Sequence, residues 1–93
     1  MNSAMLIRKH FEFRGSVQGV GFRYRAYYAA RMYGVNGYVR NCPDGSVELE
    51  AEGTEQAIDE MIEHILSGHF IEVEDFTVKK VPLCGSHSFE VRD

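Results

Sequence analysis

The sequence predicts an α+β domain with one open sheet and both helices on a single face, and three observations carry that prediction. The apolar period changes along the chain in the order strand, helix, strand, strand, helix, strand, with a short extra strand at the end. Glycine, proline and asparagine fall where the period changes. At 93 residues the chain has room for one two-layer core and no second one, so residues 1–93 are read as a single domain. This order is that of the ferredoxin-like α/β plait, and the expected sheet is antiparallel.

Each element has its own warrant. Residues 1–7 form a polar start that is expected to fray. From Lys9 onward Phe11 and Phe13 alternate with His10, Glu12 and Arg14, the period of a strand with one buried face. Gly15, Gly19 and Gly21 make a loop, after which Phe22, Ala26, Ala29, Ala30 and Tyr33 recur at helical spacing until Gly34 supplies a left-handed cap. Asn36 to Asn41 reads as a short strand, and Pro43-Asp44-Gly45 is strong turn chemistry that makes a hairpin. Its return arm sets Val47, Leu49 and Ala51 against Glu48, Glu50 and Glu52, which are expected on the solvent side. Gly53-Thr54 caps a second helix with the stripe Ala57, Ile58, Met61, Ile62, Ile65 and Leu66, and Gly68 is expected to end it. A fourth strand lies around Phe76 and Val78, and Ser88 to Val91 reads as a fifth.

The chemistry concentrates in Gly15-Ser16-Val17-Gln18-Gly19-Val20-Gly21-Phe22-Arg23. A glycine-rich loop that opens onto a helix leaves several peptide N–H groups unpaired in front of the positive end of the helix dipole, and anions bind there. Arg23 in the first turn adds a planar guanidinium suited to a phosphate or carboxylate. A right-handed crossover makes the first two strands parallel, so this loop and Asn41 emerge at the same end of the sheet. With the hairpin's return arm between them, those strands lie about 10 Å apart, and Arg23 and Asn41 are placed to share one ligand.

Composition excludes several function classes. A net charge of −4 gives no basic footprint for nucleic acid and no polybasic face for an anionic membrane. No apolar run reaches the roughly 18 residues of a membrane span, and a cytoplasmic location is expected. Cys42 and Cys84 are read as unlinked thiols. His10, His64, His69 and His87 have no ligand spacing, so neither metal nor cofactor is expected. Arg14, Arg25, Arg31 and Arg40 are read as solvated charges, and Tyr27 and Tyr33 as the tyrosines that reach the core.

Ser16 to Arg23, SVQGVGFR, resembles the V-Q-G-V-x-F-R phosphate-loop motif of the acylphosphatase family, and Gly37-Tyr38-Val39-Arg40-Asn41 resembles its G-x-V-x-N motif. Asp44-Gly45-x-Val47-Glu48 and the later Gly53 fit its hairpin, and the resemblance runs from about His10 to the C-terminus. It implies metal-independent hydrolysis of the carboxyl–phosphate bond of acyl phosphates to carboxylate and phosphate. It implies catalytic roles for Arg23, on phosphate, and Asn41, on water, with Gly15 to Arg23 as the phosphate-binding loop. Inorganic phosphate or sulfate then competes with a small acyl phosphate substrate, and the protein works as a monomer without nucleic acid or membrane partners.

Two other functions fit the same fold class. An RNA-recognition domain stacks bases on exposed aromatic residues in a basic setting, which Glu48, Glu50 and Glu52 disfavour. A regulatory domain that binds an anion without turnover differs only in an assay. Cys42, beside Asn41, is read as an inert small side chain.

Overall fold

The computed structural model describes residues 5–92, which form β1 (Leu6–Ser16), α1 (Phe22–Tyr33), β2 (Asn36–Asn41), β3 (Val47–Thr54), α2 (Glu55–Leu66), β4 (Glu72–Val81) and β5 (Phe89–Arg92). The strands join in one sheet in the order β4-β1-β3-β2-β5. Strand β3 runs antiparallel to both β1 and β2, so β1 and β2 are parallel with one strand between them. Part of the expected frayed start is strand: Leu6 and Ile7 pair with Thr54 and Gly53. Met1 to Ala4 lie outside the described residues.

The expectation of a wholly antiparallel sheet is corrected by β5, which pairs parallel with β2 from Gly37↔Phe89 to Arg40↔Arg92. The cause is a carboxylate that arrests the connection after β4. Buried Glu52 accepts the N–H groups of Cys84 at 2.8 Å, Gly85 at 3.1 Å and Ser86 at 3.2 Å. Asn36 then donates its side-chain amide to the Ser86 carbonyl, and Gly37 its N–H to that of Ser88. The chain is thus carried past β3 and laid beside β2. Gly37 itself is fixed by close approach, because a Cβ there would overlap the Glu50 carbonyl oxygen.

Between helices and sheet lies the apolar core, with Phe13, Phe22, Leu49, Ile58, Met61 and Ile65 fully buried. Phe13 stacks on Phe11 at 5.7 Å and meets Phe22, the first residue of α1, at 5.1 Å. Ala26, Ala29 and Ala30 are fully buried, small side chains that let α1 lie close to its neighbours. Tyr27 and Tyr33 pack against this core as partly buried residues, whereas Tyr24 and Tyr28 are exposed.

On the other face the three glutamates of β3 are corrected from solvated charges to members of a cross-strand network. Arg8, itself buried, reaches Glu50 at 2.6 Å, Glu52 at 3.0 Å and the Ser86 hydroxyl at 3.0 Å. His10 meets Glu50 at 2.7 Å, and Arg40 pairs with Glu48. Burial pushes the carboxyls of Glu50 and Glu52 up, but their partners win: Arg8 and His10 hold Glu50 below its ordinary value, and the Cys84 N–H with Arg8 does so for Glu52.

Helix α2 ends where Gly68 is expected to end it: Leu66 is its last residue, Ser67 is the C-cap, and Gly68 follows without a left-handed φ. Arg25, expected to be solvated, donates to the His64 carbonyl at 2.8 Å, the Ile65 carbonyl at 3.3 Å and the Ser67 hydroxyl at 3.2 Å. A cation thus satisfies the open carbonyls of the α2 terminus. The Arg25 side chain crosses so close to Gly68 that a Cβ there would come within 2.8 Å of its Nε.

Candidate active site

Strand β1 delivers Gly15 and Ser16 as its last residues, and the chain then turns through Val17 to Gly21 into α1. Gly19 and Gly21 have φ of 75° and 81°, left-handed values that disfavour a side chain although each has open space around it. Gly21 is the N-cap and has no side chain to accept from the first turn. The N–H groups from Gln18 to Phe22 have no acceptor among the described residues. Val17, Gly19, Gly21, Phe22, Arg23, Tyr24 and Asn41 line one pocket of about 180 Å³ there. It combines unpaired peptide donors with a helix N-terminus, the chemistry of an anion site.

Its two expected functional side chains come from separate elements. Arg23 stands in the first turn of α1, and its Nη1 donates to the Arg92 carbonyl at 3.0 Å. Asn41 is the last residue of β2, paired with Val47 across the hairpin. Its side-chain amide has no hydrogen-bond partner among the described residues and opens on the same pocket.

Not every residue of the predicted loop faces that pocket. Val17 is fully buried in the core as well as lining it, and Val20 packs against the core. Gln18 serves the scaffold: its Nε2 donates at 2.8 Å to both the Cys42 and Ser46 carbonyls, tying the loop to the turn that follows Asn41. That turn is closed locally. Cys42 donates its N–H to the Ser46 carbonyl and Gly45 donates to the Cys42 carbonyl. Asp44 accepts from the Ser46 hydroxyl at 2.6 Å and N–H at 3.0 Å, which hold its carboxyl below the ordinary range.

Three comparisons bear on this geometry. The family model for acylphosphatase matches residues 9–91. The chain belongs to the acylphosphatase family. It is 49% identical over 82 residues to an acylphosphatase of Bifidobacterium longum, a match that covers 87% of this chain and 84% of that protein. It is 39% identical to an acylphosphatase of Clostridium acetobutylicum, covering 94% and 98% respectively. The crystal structure of an acylphosphatase from Bacillus subtilis superposes with a TM-score of 0.88 at 37% identity, covering 96% of this chain and all of that one.

Around this acylphosphatase pocket stand residues that sequence reasoning did not select. Tyr24 lines its mouth and is largely exposed. Arg92, whose carbonyl receives Arg23, lays its guanidinium over the Tyr38 ring at 4.2 Å. Burial, then the charges of Glu50 and Glu48, push the Tyr38 hydroxyl up to about 12, so the ring stays neutral under Arg92 at ordinary pH. Tyr38 lies inside the G-x-V-x-N stretch, but its partner on β5 became visible only with the parallel pairing of β2 and β5.

Proposed function

We propose that this chain hydrolyses acyl phosphates, with Arg23 and the N–H groups of Gly15 to Arg23 gripping the phosphoryl group and Asn41 orienting the attacking water. The observation that supports these roles is the shared pocket, lined both by an arginine at a helix start and by an asparagine whose amide has no partner among the described residues, at the end of the parallel strand β2. Water oxygen forms a bond to phosphorus as the bond to the acyl oxygen breaks, and the carboxylate departs with the electron pair. A carboxylate needs no proton to leave, so the step requires no general acid.

Among the described residues no carboxylate, imidazole or thiol lines the pocket, and the water's proton passes to a phosphoryl oxygen. Rate then comes from position and charge. Water held in line accounts for up to about 7–11 kcal/mol, and donors fixed around the equatorial oxygens add to it as charge spreads there. Both functional side chains belong to one chain, so the reaction needs no second copy. Inorganic phosphate and sulfate compete for the same donors. A cytoplasmic location fits the two free thiols, Cys42 and Cys84.

Phosphate release from acetyl or benzoyl phosphate, measured with and without a chelator, tests this. We expect equal turnover in both. Turnover no faster than spontaneous hydrolysis would reduce the site to anion binding, and loss on chelation would refute the metal-free mechanism.

A further inference from the structure

The first turn of α1 sends its side chains in different directions, because consecutive helical residues are about 100° apart. Phe22 enters the core, and Ala26 follows it one turn later. Arg23 reaches across to β5, where it donates to the Arg92 carbonyl, and Arg25 reaches the carbonyls that close α2. Tyr24 takes the direction that remains, outward at the mouth of the pocket, and is 66% exposed. Its ring and hydroxyl make no hydrogen bond, ring contact or cation–π contact among the described residues, and it does not pack against the core. The fold therefore makes no use of this ring.

The other groups that line the pocket already have tasks. Gly19 and Gly21 offer peptide donors and no side chain, and Val17 and Phe22 are buried in the core. Under the mechanism proposed above, on which this inference rests, Arg23 grips the phosphoryl group and Asn41 orients the water. In an in-line displacement the acyl oxygen leaves on the side of phosphorus opposite the water, away from Asn41. The cavity, of about 180 Å³, is smaller than the roughly 300–1,000 Å³ that encloses a drug-sized ligand, so it takes the phosphoryl end and leaves the acyl group at the mouth. Tyr24 is the lining side chain left to meet that group. Among the described residues no carboxylate lines the pocket, and Arg23 is its only cation, so nothing at the mouth selects a charged acyl group.

We propose that Tyr24 is the acyl-side specificity residue of this site, its ring packing against a planar, uncharged acyl group, so that the chain favours aroyl phosphates over acetyl phosphate. A benzoyl group carries a flat apolar ring that can meet the phenol offset or edge-on, the arrangements aromatic pairs prefer. An acetyl group ends in one methyl and offers no such face. The aromatic part of the acyl group is remote from phosphorus, so the contact is the same before and during P–O cleavage. It strengthens substrate and transition state alike, and its loss shows in KM rather than in kcat.

Phosphate release from benzoyl phosphate and from acetyl phosphate tests this in the wild type, Tyr24→Ala, Tyr24→Phe and Tyr28→Ala. Tyr28 stands one turn further along α1, is similarly exposed and does not line the pocket. The benzoyl-to-acetyl ratio of kcat/KM should fall about threefold to tenfold in Tyr24→Ala, through a higher KM for benzoyl phosphate. Tyr24→Phe keeps the ring and should keep the ratio, and Tyr28→Ala should match the wild type on both substrates. Circular dichroism reports folding, and Tyr24→Gln, which also lacks the ring, reads the same ratio if Tyr24→Ala misfolds. A wild-type ratio in the folded ringless variant overturns the proposal, as does a fall carried by kcat alone or one that Tyr24→Phe shares. Turnover of neither substrate by the wild type refutes the acyl phosphate reading itself and the proposal with it.

Discussion

Strand β5 spans four residues, buries Phe89 and binds its last residue to both Tyr38 and Arg23, whereas β4 spans ten residues and buries no side chain. Length therefore does not measure how firmly an edge is held. The short edge and the neighbouring hairpin are tied to the pocket by side chains, through Arg92 on one side and Gln18 on the other. The long edge is held by its ladder to β1, by Phe76, whose ring meets Phe13 at 5.4 Å and Phe11 at 6.4 Å, by Val73 against the core, and by a solvent-exposed ion pair of Asp75 with Arg14 at 2.9 Å. A site built to hold donors on a phosphoryl group needs the first kind of support.

The sharpest way to break the pocket side of this comparison is Arg23→Ala. Each charge-assisted bond to phosphate contributes about 1.5–3 kcal/mol, so two of them predict a fall in kcat/KM of about 10²-fold or more together with loss of phosphate binding, read by calorimetry. Asn41→Ala should lower kcat while phosphate affinity stays near wild type, the pattern of a contact made in the transition state. Equal losses in both variants would show that the two side chains do not divide the work in this way.

Stability separates the regions next. Phe13→Ala empties a fully buried site beneath α1 and should cost about 3–5 kcal/mol in urea unfolding, whereas Val78→Ala on the open strand should cost less than about 1 kcal/mol. Similar losses at the two positions would mean that β4 packs as tightly as the core beneath α1.

Gln18→Ala sharpens the same contrast from the scaffold behind the pocket. The variant cuts both ties from the loop to the Cys42 and Ser46 carbonyls, at about 1–3 kcal/mol, and should lower kcat about tenfold because Asn41 shifts against Arg23. Gln18→Glu should not rescue it, since a carboxylate has no proton to give to a carbonyl. Unchanged kcat in Gln18→Ala would show that the turn holds Asn41 unaided.

The smallest effect concerns the charged face that joins the edges. Glu50 and Glu52 titrate below their ordinary 4.5 in the folded chain, so their contribution is present above that pH and is lost as pH falls through it toward the folded values. Each group adds a slope of at most about 1.4 kcal/mol per pH unit. Urea unfolding from pH 7 to 3 should show this decline, with a shallower slope in Glu52→Gln. A profile identical to wild type would place the acid-sensitive groups elsewhere.

Local pattern determined much of this protein before any coordinates. The period-2 and period-3.6 runs located both helices and all five strands, because an element's buried face is written at fixed spacing in its own residues. The glycine loop, Arg23 and Asn41 were legible for a related reason: a β-α-β crossover has one hand, which brings the end of β1 and the end of β2 to one edge of the sheet. Tertiary structure decided what depends on partners distant in sequence. Whether Glu52 faces water or gathers three N–H groups of the 84–86 segment, and whether Arg25 is solvated or caps α2, follows from chain brought alongside by the fold. The same holds for β5, which runs parallel to β2 because that captured segment delivers it there, and for Gln18, whose amide found two carbonyls in a turn more than twenty residues away. A polar side chain carries no period that names its partner, since hydrogen bonds are satisfied by whichever groups the packed backbone presents.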